Sequence, residues 1–299
     1  MRLVFLLVDH ETAEGLSGID PYTFIRTMKS NQTTDSGDGE ISLSHVISRI
    51  GPVQHIQTNT DGEVMRDPDG IFQRTCDILA DAEYKFGEDE SVRNGWANRF
   101  NTVLRERRFI LDTVTTEHAS GYINLERVVD DHIPSFDQFS SRDSMQDRST
   151  DVIVQSYLNR CLDTDCFEDT IAVGIRMLDN AIEQTEYPVD DVEERIRSTR
   201  KLSIGVMGFS EMLSQLGISY GSDEAVIVAQ EVADRINTRA VTYSHELAKV
   251  RGPYLDWDES KWADLQENAE WFEQQINKQP SEVDEAGYLM RNEIITNNE

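Results

Sequence analysis

The sequence predicts a helix-rich chain carrying a few scattered strands, and three observations lead there. Apolar residues recur at helical spacing over long stretches, as with Ile171, Ile175, Leu178 and Ile182. Capping and stop residues bracket those stretches: Asp67-Pro68, Gly87, Gly217, Ser222 and Gly252-Pro253. Extended apolar runs are few and short, the clearest being 3–8 and 202–206.

Taken in order, "LVFLLV" at 3–8 reads as a buried strand, and 20–29 as a short helix. The polar run "SNQTTDSGDGE" at 30–40 has almost nothing to bury and reads as a linker. Two extended runs flank Asn59-Thr60-Asp61-Gly62, where Asp61-Gly62 suits a hairpin turn. Asp67 then caps a helix with Pro68 in its first turn; Ile71, Phe72, Thr75, Ile78, Leu79 and Ala82 keep its spacing, and Gly87 stops it. A second helix is expected over Ser91 to Arg108, burying Trp96, Phe100, Val103 and Leu104.

Residues 130–150 read as polar loop. Helical pattern returns over 151–163 and 167–184, breaks at Tyr187-Pro188, and resumes over 189–199. Leu202 to Val206 reads as a strand, and Phe209 to Leu216 as a helix closed by Gly217. Ser222 caps a long helix to about Arg251, ended by Gly252-Pro253. Two further acidic helices are expected over 258–277 and 280–291. As units, these elements group into an unassigned segment 1–45, a helical region 46–110, a junction 111–165, and a helix-rich segment 166–299.

The formal net charge is −28 and the sequence pI about 4.5. Such a field repels phosphate backbones and anionic lipid, so neither nucleic acid nor membrane is an expected partner. The carboxylates are dispersed over helix faces and lysine is scarce, which fits solubility in a high-salt (halophilic) cytoplasm where screening relieves self-repulsion. An ordinary acidic protein is the other reading. The apolar run 3–8 is too short for a signal core or a membrane span. Three cysteines without a secretory leader read as reduced thiols, and the expected location is cytoplasmic.

One compact stretch, "RKLSIGVMGFSEMLSQLGISYGSDEA" at 200–225, concentrates Gly205, Gly208, Gly217 and Gly221. Gly205 and Gly208 sit where a strand turns directly into a helix, a junction that wants tolerant dihedrals and close backbone approach. Two readings stand: a backbone edge that nears a ligand, such as a phosphate at a helix N-terminus, or tight strand–helix packing. The spacing is neither GxGxxG nor a P-loop.

The wording of that stretch narrows the choice of family. "RKLSIGVMGFSEML" resembles the "R(K/R)IGLGVMGFADML" segment of ribonucleotide reductase large subunits. Its neighbours agree in order. "IRMLDNAIEQTEYPVDDVEE" at 175–194 is similar to the family's "VRFLDNVID…YP" helix, and "LGISYGSDEA" at 216–225 to "LGIxYxSEEA". Ser244, Leu247, Ala248 and Gly252 resemble the following "S…LA…G" helix, and Arg291-Asn292 the "RN" before "TTIAPTGT". Earlier, "SGYINLERVVDD" at 120–131 resembles "LGSINLERFV", and 49–110 looks like the region leading into "RFxPNSPTLMNAG". The style of that part resembles the adenosylcobalamin-dependent class.

The resemblance implies a ten-stranded α/β barrel and thiyl-radical replacement of a ribose 2′-OH by hydrogen. The family enzyme supplies the radical sulfur, two reducing thiols and a carboxylate base, while the cobalamin supplies the radical. Here "RRFI" at 107–110 is followed by "LDTVTTEHASGYINL" instead of "PNSPTLMNAG", so the block holding half the barrel, the first redox cysteine and the finger loop is skipped. The chain reaches "RNEIITNNE" without "PTGT" or a C-terminal cysteine pair. The expected fold is therefore mostly α with a few strands, a partial ribonucleotide-reductase-like α/β barrel lacking a large part of its strands, truncated and internally deleted.

No catalytic or metal-binding residue is assigned. Cys76 sits on the core-facing side of its helix, and Cys161 and Cys166 read either as a reducing pair or as two unrelated helix-end thiols. Glu117-His118 stands where the family run carries a cysteine. The histidines, His10, His45, His55, His118, His132 and His245, form no metal motif. Trp257, Trp262 and Trp271 read as helix-packing residues. Only Gly205 and Gly208 are candidate substrate-side backbone. The expected function is a reductase-related protein inactive as an isolated chain, with adenosylcobalamin implied by resemblance alone. Expected partners are an intact or complementary reductase chain and further copies of itself. The alternatives are a non-catalytic decoy subunit and a degenerate gene product.

Overall fold

The computed structural model describes residues 68–114, 118–130, 134–145, 147–187, 189–264, 292 and 294–296. The strand expected at 3–8, the helix at 20–29, the linker, the Asp61-Gly62 hairpin, the Asp67 cap and the helix at 280–291 lie outside the described residues.

Helix α1, Pro68–Ala80, begins at the proline whose missing N–H costs a helix nothing in its first turn. It tightens into a 3-10 turn over Asp81–Phe86 and stops at Gly87, whose left-handed φ of 82° closes the last turn. Asp89 accepts from the Val92 amide to start α2, Glu90–Arg105. Phe100, Val103 and Leu104 are buried as the spacing predicts, while Trp96 is only half-buried. Helix α2 ends earlier than expected. Arg107 adopts a left-handed φ of 56°, and Phe109 already belongs to a strand.

Strands β1 (Phe109–Val114) and β2 (Ala119–Asn124) form an antiparallel pair with an irregularity between Leu111 and Val114. Helix α3, Phe136–Ser140, interrupts the loop expected over 130–150. Its Phe136 and Phe139 rings pack on Tyr157, which explains why an apparently polar segment orders a turn. Helices α4 (Thr150–Cys161), α5 (Thr164–Gln184) and α6 (Asp190–Thr199) follow the predicted pattern.

Strand β3, Leu202–Met207, leads through Gly208 into α7, Phe209–Leu216, closed by the left-handed Gly217. Ser222 accepts from the Ala225 amide and starts α8, Asp223–Arg251, which ends at Gly252. The helix expected from 258 is not formed in its described part. Residues 257–264 make a 3-10 turn at Trp257–Glu259 and a further turn, because Trp257 and Trp262 fold inward and are buried. Strand β4, Ile294–Thr296, completes the sheet.

The sheet is open and ordered β1-β2-β3-β4, with β2, β3 and β4 parallel. Helix α5 is the centre of the molecule, and Ile171, Ile175, Leu178 and Ile182 are wholly enclosed. It packs on the sheet face that carries Phe109, Gly121, Ile123, Leu202 and Ile204, with α8 on its other flank. Gly174 makes the contact possible: a Cβ there would stand 2.6 Å from the Phe109 ring. The opposite face, with Ile110, Tyr122 and Met207 partly exposed, receives no such helix among the described residues. This is a mostly helical architecture around a small open arc of sheet.

Candidate functional site

In sheets of this kind, ligands collect at the carboxyl ends of parallel strands. Here that edge is made by Asn124 at the end of β2 and Met207-Gly208 at the end of β3, which are aligned in the parallel register. Gly208 is the junction residue itself. Its φ of 72° is left-handed, and a Cβ there would collide with Asn124 Oδ1 and stand 3.1 Å from the Glu126 amide nitrogen. Gly205 does not lie at the turn. It is inside β3, directly across from Tyr122, whose ring occupies the space a Cβ would take at 2.7 Å. The ring is 39 % exposed and forms part of the open face. Both glycines thus serve close packing. Gly208 alone brings bare backbone to the strand ends.

Helix α7 starts at Gly208 without a side-chain cap. Ser210 Oγ donates to Glu211 Oε2 at 2.8 Å, and that bond, with one from the Glu211 backbone, holds the exposed Glu211 carboxyl below its ordinary value. The amide end of the helix therefore already has an anion of its own. Beside it, Asn124 is 6 % exposed and its Oδ1 has no hydrogen-bond partner among the described residues. Among the described residues, this edge gathers backbone amides, an amide side chain, the Ser210 hydroxyl and two glutamates, and neither β2 nor β3 carries a cysteine.

The chain's cysteines lie in helices. Cys76 is enclosed in α1, and burial pushes its thiol up to about 12. Cys161 ends α4, is equally enclosed, and is raised to about 11 by burial. Cys166 stands in the first turn of α5, half-buried, with Arg108 Nη1 3.4 Å from its sulfur. Burial raises it too, and Arg108 only partly offsets the rise. All three are free thiols. Nucleophilic thiol chemistry needs a thiolate and an accessible sulfur; Cys76 and Cys161 offer neither, and Cys166 offers partial access alone.

The strongest electrostatics lie instead in a buried ionic network that polar residues at 176, 179, 180 and 183 build on one side of α5. Arg176 donates to Glu83 through Nε at 2.9 Å and Nη2 at 2.6 Å, and Asn180 adds 2.8 Å. Arg251, the last residue of α8, lies 2.7 Å from Glu83 and donates to Asp179 Oδ2 at 2.5 Å. Arg200, left-handed at φ 49°, donates to Asp179 Oδ1 and to Glu183 Oε1. Burial alone would raise the Glu83 carboxyl, but Arg176 and Arg251 outweigh it and lower it. At Glu183 burial is likewise outweighed, by Arg200 and then Arg197, and the carboxyl falls to about 2. This network went unread in the sequence, although charged and amide residues inside the buried run "IRMLDNAIE" were a visible signal.

His118 opens just before β2 and is half-buried; His245 lies on α8. Glu117, His10, His45, His55, His132 and Trp271 lie outside the described residues. Among the described residues there is no group of three metal-ligating side chains, and no helix is long and apolar enough to cross a membrane.

Comparison with known proteins places these elements. A family model described as the ribonucleotide reductase barrel domain matches residues 121–296, more than half of the chain. A vitamin B12-dependent ribonucleoside-diphosphate reductase of Mycobacterium tuberculosis is 40% identical over 102 residues, 34% of this chain and 15% of that protein. The enzyme of the same name from Thermoplasma acidophilum is 37% identical over 101 residues, 34% of this chain and 13% of that one. A ribonucleoside-diphosphate reductase subunit alpha of Chlamydia pneumoniae is 38% identical over 110 residues, 37% of this chain and 10% of its own length. The matched segment is thus a small part of each relative.

Proposed function

The chain belongs to the ribonucleotide reductase barrel-domain family, and from that premise we propose that it is a non-catalytic portion of such a barrel which acts only beside a complementary reductase chain. One observation supports the reading above others. The open face and the strand ends carry Tyr122, Asn124, Met207 and Gly208, while the sulfurs that a thiyl radical would need sit in helices, two of them enclosed and Cys166 half-buried. No side chain other than cysteine forms that radical, so an arc without a thiol cannot begin the family reaction.

The same residues do not fit adenosylcobalamin chemistry in this chain alone. A cobalamin radical would have to be handed to a cysteine sulfur, and no strand of this sheet carries one. In the proposed assembly, the cofactor, the substrate phosphate site and the reactive thiols belong to the partner, and the assembly is cytoplasmic.

Physical support for a partner comes from topology. A closed barrel has no free edges and fills its inside with opposing side chains. Among the described residues this sheet is open, and Ile110, Tyr122 and Met207 are partly exposed on the face that α5 leaves uncovered. The direct passage from α2 through the β1–β2 antiparallel pair agrees with an internally deleted barrel. Gly208 and Asn124 are proposed as the substrate-side edge this chain contributes, and Gly205 as packing beneath Tyr122.

Mixing the chain with a cobalamin-dependent reductase and measuring deoxyribonucleotide formation tests the proposal. Increased turnover by a reductase lacking its own strands supports complementation. A fall in the activity of an intact enzyme identifies a decoy, and no effect together with no binding removes the proposal.

A further inference from the structure

We infer that Asn292 is a positioning residue, a buried latch that fixes which register β4 adopts against β3. This role is independent of the proposed function. Asn292 is wholly enclosed, and its Nδ2 donates to Asp179 Oδ1 at 2.7 Å and to the Arg200 carbonyl at 3.4 Å. Its backbone N–H donates to Ser244 Oγ at 3.0 Å, and the Ser244 hydroxyl donates back to the Asn292 carbonyl at 3.3 Å. One residue is thereby tied to α5, to the end of α6 and to α8. Its Oδ1 has no partner among the described residues, so the side chain holds through Nδ2.

Strand β4 needs such a device. It is three residues long and pairs Leu202 with Ile294, Ser203 with Ile295 and Ile204 with Thr296. Strand register is normally set by an alternating apolar pattern, because a slip exchanges the two faces. Ile294 and Ile295 are adjacent and both apolar, so composition hardly distinguishes one register from its neighbours. A buried polar contact does distinguish them. Asp179 is already bound by Arg200 and Arg251, and Asn292 reaches it only if 294 lies beside 202. Polar groups buried at a cost in stability but kept for register are a recognised use of such networks.

Hydrogen exchange and cysteine trapping test the latch. In Asn292→Ala, and in Asn292→Asp, which sets a carboxylate against Asp179, the amides of 294–296 should exchange roughly tenfold faster or more. Amides in the middle of α5 should keep their protection. Unchanged exchange at 294–296, or loss in step with α5, overturns the inference. As a second readout, Ser203→Cys with Ile295→Cys should cross-link in the native background, whereas Ser203→Cys with Glu293→Cys, a two-residue slip, should not. The slipped pair should gain cross-linking only when Asn292 is replaced. Equal trapping of both pairs in both backgrounds overturns it as well.

Discussion

Arg251 and Asp179 meet at 2.5 Å with neither side chain reaching solvent, which joins the end of the longest helix to the middle of the central one. Glu83 lies against the same guanidinium and against Arg176. Removing one partner from such a cluster leaves a charge buried without compensation. Glu83→Ala should therefore cost about 3–5 kcal/mol. Arg99→Ala, which breaks the exposed pair with Asp169, should cost less than about 1 kcal/mol. Chemical denaturation of both variants checks the contrast.

Acid should unfold the protein through the same cluster. The Glu183 carboxyl falls from 4.5 to about 2, and that of Glu83 is also lowered. A depressed carboxyl contributes its stability above the unfolded value and loses it as pH falls toward the folded one. Glu183 contributes on the order of 3 kcal/mol, fully present above about pH 5 and lost between pH 4.5 and 2. Stability measured across that window should decline, and Glu183→Gln should flatten the decline.

Glycine substitutions separate backbone strain from crowding. Gly208 and Gly221 both have left-handed φ, but a Cβ at Gly221 meets nothing within 4 Å. Gly221→Ala should cost about 1–2 kcal/mol from φ alone. Gly208→Ala adds a collision with Asn124 and should cost clearly more, read as a lower melting temperature.

Thiol labelling should follow burial. Cys166 is half-buried and should react with an aromatic disulfide in the native state. Cys76 and Cys161, enclosed and raised to about 12 and about 11, should react only on unfolding. Mass mapping of the labelled residues distinguishes them.

Much of the helical frame was legible because its signals are local. Pro68, Gly87, Gly217, Ser222 and Gly252 each set one boundary by their own dihedral or hydrogen-bond preference. Strands β1 and β2 were not, since their pairing depends on Gly121 and Gly174 yielding space to the Phe109 ring, a contact distant in sequence. The helix expected from 258 is not formed over 258–264 for a similar reason. Its spacing suits a helix, but Trp257 and Trp262 gain more by turning into the core. At the site, Gly208 was legible as a strand–helix junction, whereas Gly205 belongs to the strand interior and Asn124 gave no sign of its place at the strand ends.

An arc of barrel whose described strands carry no cysteine should be unable to start radical chemistry by itself. The most direct measurement is ribonucleotide reduction by the purified chain in high salt, with adenosylcobalamin and a dithiol. No deoxyribonucleotide above the protein-free background is the predicted result. Sustained turnover by the chain alone, abolished by replacing one of Cys76, Cys161 or Cys166, would contradict it.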